Sequence, residues 1–126
     1  MATASEITSE GEADFRAAAR RRHQVDLQVL AAREERAWDL ARQAAVLLRA
    51  EFHADQVVVF GSLIHAGCFT PWSDVDVAAS GIESRETLRA MEAVRDLSDE
   101  IPVHLVDLAA CSDSLRTVIE QEGRSV

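Results

Sequence analysis

Apolar positions along this chain follow two different rhythms. From Gly11 to about Phe52 the residues Leu27, Leu30, Trp38, Ala41, Ala45, Leu48 and Phe52 fall on three-or-four spacing, the mark of one helix face. This stretch has no proline, its only glycine is at its start, and alanine, arginine, leucine and glutamate dominate it, which is strong helix composition. A single straight helix over it would span roughly 60 Å, whereas a domain of this size has a radius of gyration of about 14 Å. The expectation is therefore a bend near Arg33-Glu34-Glu35-Arg36, or a projection that packs on another chain. The polar, acidic residues 1–10 read as a disordered leader. Residues 11–35 read as a helical extension for a partner or a second copy of the chain. Residues 36–126 read as the folded domain, with Arg36 to Glu51 packing on a sheet.

Beyond Phe52 the rhythm changes to β-α-β-α-β-α. Gln56 to Phe60 is a β-branched run that predicts a strand, followed by a short helix from Ser62 to about Ala66. Asp74 to Ala79 alternates polar and apolar residues and predicts a second strand, stopped by Ser80-Gly81. Ser84 is a candidate cap for a helix presenting Leu88, Met91, Val94 and Leu97 on one face. Pro102 introduces a third strand, Val103 to Asp107. Ser112 caps a last helix with Leu115, Val118 and Ile119 inward, closed by Gly123. The fold class is thus α/β in the α+β sense: a small mixed sheet flanked by helices, with a long N-terminal helical extension.

Composition narrows the function. The chain has 126 residues, enough for one core, and no apolar run of membrane-spanning length. Its N-terminus lacks the basic start and apolar stretch of a signal peptide. Cys68 and Cys111 are isolated, without metal-type spacing, so a reduced cytoplasmic protein is expected. A net charge of −9 argues against direct nucleic-acid binding, which depends on neutralising phosphates. It leaves room for a small nucleotide carried in with its metal. The Arg20-Arg21-Arg22-His23 run lies on a helix that spreads these side chains around its circumference and reads as a solvated face.

The chemistry concentrates between Val57 and Ser80. A strand ends at Gly61-Ser62, and Ser73-Asp74-Val75-Asp76 follows after a loop containing Pro71. Residues two apart on a strand share a face, so Asp74 and Asp76 point the same way while the valines enter a core. Adjacent carboxylates repel unless a cation lies between them, and hard oxygen ligands suit Mg²⁺, with Mn²⁺ as the alternative. Gly61 permits a tight turn and close approach of a phosphate, and Ser62 at a helix start offers N–H groups and a hydroxyl. Each element is a weak signal alone; together they point to nucleotide chemistry, with Gly61, Ser62 and Ser73 nucleotide-binding and Asp74 and Asp76 metal-binding. Trp72 has two readings, a platform for a base or a loop residue covering the core.

With these motifs the sequence resembles the minimal nucleotidyltransferases (MNT) of the DNA polymerase beta superfamily, from about Ala41 to the C-terminus, including the PVHLVDL and IEQEG segments. The resemblance implies a nucleotidyltransferase fold, Mg²⁺ on Asp74 and Asp76, and ATP as substrate. Many such small proteins resemble the antitoxin of a HEPN/MNT toxin–antitoxin pair, which implies transfer of AMP to a tyrosine of a HEPN-family toxin. This chain has no tyrosine of its own, which fits modification in trans.

Three departures from the family pattern stand out. The interval from Gly-Ser to Asp-x-Asp is one residue longer than the commonest form, and His65-Ala66-Gly67 replaces the usual arginine and glycine step. His104, in Val103-His104-Leu105-Val106-Asp107-Leu108, stands where relatives carry a third carboxylate. Imidazole is a poor Mg²⁺ ligand but a competent base near neutral pH, so the catalytic set is Asp74, Asp76 and His104. Asp107 is three residues on and faces the other way in a regular strand. The competing reading is a catalytically impaired protein of this fold that neutralises its partner by binding alone. Transfer to a small molecule such as an aminoglycoside is the third reading.

Overall fold

The computed structural model describes the backbone from Ala4 to Val126 and the side chains from Gly11 onward. The chain divides into two compact units, 1–32 and 33–126. The first unit is built from helix α1 (Ala4–Phe52), whose C-terminal part belongs to the second unit. Of the expected leader, residues 1–3 lie outside the described residues and Ala4 onward is assigned to α1. The helix continues through Arg33–Arg36 without a break. Along its first part Phe15, Val25, Leu27 and Val29 are exposed.

The second unit holds the sheet. Strand β1 (Gln56–Phe60) leads into a 3-10 turn at Gly61–Ile64, then a loop, then β2 (Val75–Ser80). Helix α2 (Thr87–Arg95), β3 (Val103–Asp107), α3 (Asp113–Glu122) and a two-residue strand β4 (Arg124–Ser125) complete the order. The sheet runs β3-β2-β1-β4. β1 is antiparallel to both β2 and β4, while β2 and β3 are parallel, joined by α2 as a parallel pair requires. This is the small mixed sheet flanked by helices that the sequence predicts.

Alternation gives the sheet two faces. On one, Val57, Val59, Val75, Val77, Ala79, Val103 and Leu105 are all buried. Ala37, Ala41, Ala44, Ala45, Leu48 and Phe52 of α1 are buried at helical spacing, as are Ala90 and Val94 of α2. They are the apolar surface available to that face. On the other face Val58, Ala78 and Ile119 form a smaller cluster with Phe60, Val106, Leu108 and Leu115 against it.

Several local expectations shift. Ser84 does not cap α2: a 3-10 turn at Ser84–Glu86 precedes it, and no side chain caps its first turn. α2 therefore starts later, and Leu88, expected inward, is 74% exposed, because Ala90 and Val94 set the buried phase. Val118 is also exposed, with Ile119 taking the core position. Ser112 caps α3 as expected, its hydroxyl accepting from Leu115 N at 3.2 Å. Gly123 ends that helix for a different reason than a left-handed turn: its φ is −63°. A Cβ there would collide with Val58 Cγ1 and the Ile119 carbonyl, so glycine lets α3 lie close to β1. β4 was not anticipated; two exposed residues carry no strand signal.

Candidate functional site

The second face of the sheet is only half covered. Beyond the cluster under Ile119, the N-terminal ends of β2 and β3 present polar side chains. In register, Asp76 lies beside Phe60 of β1 and beside His104 of β3. Asp74 precedes β2 by one residue and keeps the alternation, so Asp74, Asp76 and His104 gather at one edge.

Two contacts define the geometry. His104 Nε2 lies 3.0 Å from Asp74 Oδ2, with the His104 and Asp74 side chains 41% and 39% exposed. Gly61 has a φ of +79°, in the region that favours glycine. A Cβ at this position would stand 2.6 Å from Asp76 Oδ2. The Gly-Ser signature and the second aspartate, fifteen positions apart in sequence, are therefore in direct apposition. Ser62 follows in a 3-10 turn of four residues rather than the longer helix expected from Ser62 to Ala66.

Charge at the edge is unbalanced. Burial pushes the Asp76 carboxyl above its ordinary value of 3.8; His104 pulls it back, and Asp74 adds to the rise. Among the described residues neither carboxylate is paired with an arginine. Mg²⁺ commonly takes one or two carboxylates and completes its shell with phosphates and water. Two hard oxygen groups on one face, one of them penalised by burial, fit that ion. Among the described residues no three His, Cys, Asp or Glu side chains are placed so as to hold a metal ion between them, so a bound ion would draw its other ligands from substrate and solvent.

The loop before Asp74 is tightly built. Ser73 N donates to the Thr70 carbonyl at 3.1 Å. Thr70 N donates to Ser73 Oγ at 2.9 Å, the two hydroxyls share a hydrogen bond, and Trp72 N donates to Thr70 Oγ1. Ser73, expected to bind nucleotide, thus has its hydroxyl engaged within this turn. From α1, Arg33 donates to the Ser73 carbonyl at 3.0 Å and lies 6.0 Å from the Phe69 ring centroid. Sequence reasoning missed Arg33, which sits forty positions away with no local signal. The Thr-Pro-x-Ser spacing of a turn with proline at its second position could have revealed the rest.

The other candidates lie outside this edge. Asp107 closes its own turn, accepting from Ala109 N at 2.9 Å. His65 approaches Glu122 of α3 at 3.4 Å. Trp72 does not cover the core: it is 85% exposed.

No protein-family model matches the sequence, and no curated protein matches it. Similar solved structures exist. One is a toxin–antitoxin complex with AMP-PNP, to a chain of which this chain is 22% identical, with a TM-score of 0.57, covering 68% of this chain and 70% of that one. Another is the MntA–HepT toxin–antitoxin, at 20% identity and TM-score 0.52, covering 68% of each chain. A third is a tri-AMPylated Shewanella oneidensis HEPN toxin in complex with MNT antitoxin, at 20% identity and TM-score 0.54, covering 71% of this chain and 70% of that one. At such identities the likeness is one of architecture: the chain shares the fold of the chains it matches in these complexes.

Proposed function

We propose that this chain is an antitoxin adenylyltransferase, which moves AMP from ATP to a tyrosine hydroxyl of a HEPN-family toxin and thereby silences it. The observation that carries the reading is the apposition of Asp76 to Gly61, with Asp74 on the same face. A backbone turn able to take phosphates and a pair of carboxylates able to take Mg²⁺ meet at one place. The similar structures are complexes of such pairs, one with an ATP analogue and one with an AMPylated toxin, which supports the same reading.

Bond changes in the proposed reaction are simple. The acceptor oxygen forms a bond to the α-phosphorus of ATP, the bond to the β-phosphate breaks, and pyrophosphate leaves. Mg²⁺, or Mn²⁺, held by Asp74 and Asp76, would supply neutralisation of phosphate charge. The turn at Gly61-Ser62 orients the phosphates. The acceptor proton goes to His104 or to water. In the tautomer whose Nε2 donates to Asp74 Oδ2, Nδ1 keeps the lone pair that accepts. Residues 11–35 serve as the contact for the partner or a second copy, and the setting is cytoplasmic.

One observation favours a second reading. His104 already engages one Asp74 oxygen, which a metal would have to share. A protein so capped could neutralise its partner by binding alone.

The deciding experiment is intact mass of a HEPN-family partner after incubation with this chain, ATP and Mg²⁺, then Mn²⁺. Stepwise gains of AMP that vanish in Asp74→Ala/Asp76→Ala support the transferase. A tight, silencing complex with no mass gain establishes the second reading instead.

A further inference from the structure

Trp72 is the most exposed large apolar side chain among the described residues, at 85%. An indole left in water retains a substantial gain still to be made on burial, which a flat apolar partner would realise. The loop is not loose. Trp72 occupies the third position of a turn closed by four hydrogen bonds within Thr70–Ser73. That turn is fastened at one end by Arg33 on the Ser73 carbonyl, and on its other side Phe69 is buried. The polar groups of the turn bond one another, and the indole stands in solvent beside the likewise exposed Thr70 and Pro71. A backbone held this way loses little conformational freedom when a flat partner settles on the aromatic ring it carries.

Position identifies the occupant. Trp72 precedes Asp74 by two residues, so their Cα atoms are at most about 7 Å apart. A ligand whose phosphates reach Asp74, Asp76 and Gly61 therefore lies next to the turn that carries the indole. Bases stack on aromatic side chains through a π-face that all of them share. We infer that Trp72 is the base-stacking platform of the nucleotide site, a binding residue for the nucleoside end of the substrate. The inference rests on the proposed nucleotide chemistry and adds to it: phosphates are held at the Gly61 turn, the base at Trp72. Stacking of this kind tolerates any base, so Trp72 contributes affinity and selects aromatic bases as a class, with little choice between adenine and guanine.

Isothermal titration of the full chain tests this, with ATP and with inorganic triphosphate, each in Mg²⁺. Trp72→Ala is expected to weaken ATP binding by about five- to a hundredfold and to leave inorganic triphosphate binding unchanged. Trp72→Phe should recover most of the loss. In a Trp38→Phe background, where Trp72 is the only tryptophan, ATP should quench the fluorescence and inorganic triphosphate should not. Equal ATP affinity in Trp72→Ala, or equal losses for both ligands, overturns the platform. Asp74→Ala/Asp76→Ala reports separately on the phosphate site. If that variant still binds triphosphate while Trp72→Ala loses ATP selectively, the metal site is misassigned and the platform stands. If the wild-type chain binds neither ligand, both readings fall.

Discussion

The two faces of one strand make opposite use of the same physics. β2 sends Val75, Val77 and Ala79 into a core where each is fully buried. Its alternate positions, with Asp74 just ahead of them, put Asp74 and Asp76 at a half-open edge. The sealed face gains from every methyl group removed from water. The open face accepts a cost: burial raises Asp76 while a second carboxylate stands nearby. Stability and chemistry are thus separated by a half-turn of the strand, not by distance, and substitutions on neighbouring residues should have unlike consequences.

The largest contrast pairs Asp74→Ala/Asp76→Ala with Val77→Ala. The first should lower AMP transfer by a factor on the order of 10³ with little change in melting temperature. The second should cost about 2 kcal/mol of stability, read from denaturant unfolding, with turnover of the remaining folded protein intact. If the aspartates prove to hold the fold together, the division between faces fails.

His104 sharpens the open side. His104→Gln can still donate toward Asp74 but cannot accept a proton at neutral pH. Transfer should drop by about 10² while ATP affinity, read by titration, stays near wild type. Unchanged transfer would assign the proton to water and leave His104 as a counterweight to the carboxylates.

Gly61→Ala touches both accounts at once. The added Cβ meets Asp76 Oδ2 at 2.6 Å, and the backbone is left-handed at this point. A loss of about 1–2 kcal/mol is expected, together with weaker metal-dependent nucleotide binding as Asp76 is displaced. Stability loss without any binding change would show that the apposition is incidental.

The smallest effect concerns pH. Because the folded Asp76 carboxyl lies above its usual value, its contribution favours the fold at acid pH and is lost as pH rises through the folded value. Asp76→Asn should therefore raise the melting temperature at neutral pH without divalent metal, on the order of 2 °C. The gain should vanish below about pH 4, near the ordinary aspartate range, and shrink when Mg²⁺ is added to the wild type. A loss of stability at neutral pH would reverse the sign of the argument.

Strands were legible in the sequence because each carries a period of two: Gln56 to Phe60 and Val103 to Asp107 form as expected, and β2 is displaced by one residue. That Asp74 and Asp76 share a face was legible for the same reason, since a strand's alternation fixes which side chains lie together, while Gly61-Ser62 showed as the abrupt end of an apolar run. Helix phase was harder. Leu88 and Val118 look inward by hydrophobicity, but the small Ala90 and the neighbouring Ile119 win the core because of where β3 and β1 lie. What pairs distant segments left no trace. Arg33 on the Ser73 carbonyl is a tertiary contact between residues with no local pattern, and Gly123 is required by a neighbour, Val58, that only folding supplies.

Finally, the carboxylates have a part to play before any substrate arrives. β1 and β2 are both rich in small and β-branched apolar residues, so several offsets between them would look alike to hydrophobic contacts alone. Pairing is Phe60 with Asp76 and Val59 with Val77. A slip of one residue exchanges the faces of a strand, which would drive Asp74 and Asp76 into the sealed core and expose the valines. The acidic pair therefore penalises misaligned sheets far more than the aligned one. The residues proposed to hold the metal also act as a guide to correct assembly of the sheet that displays them.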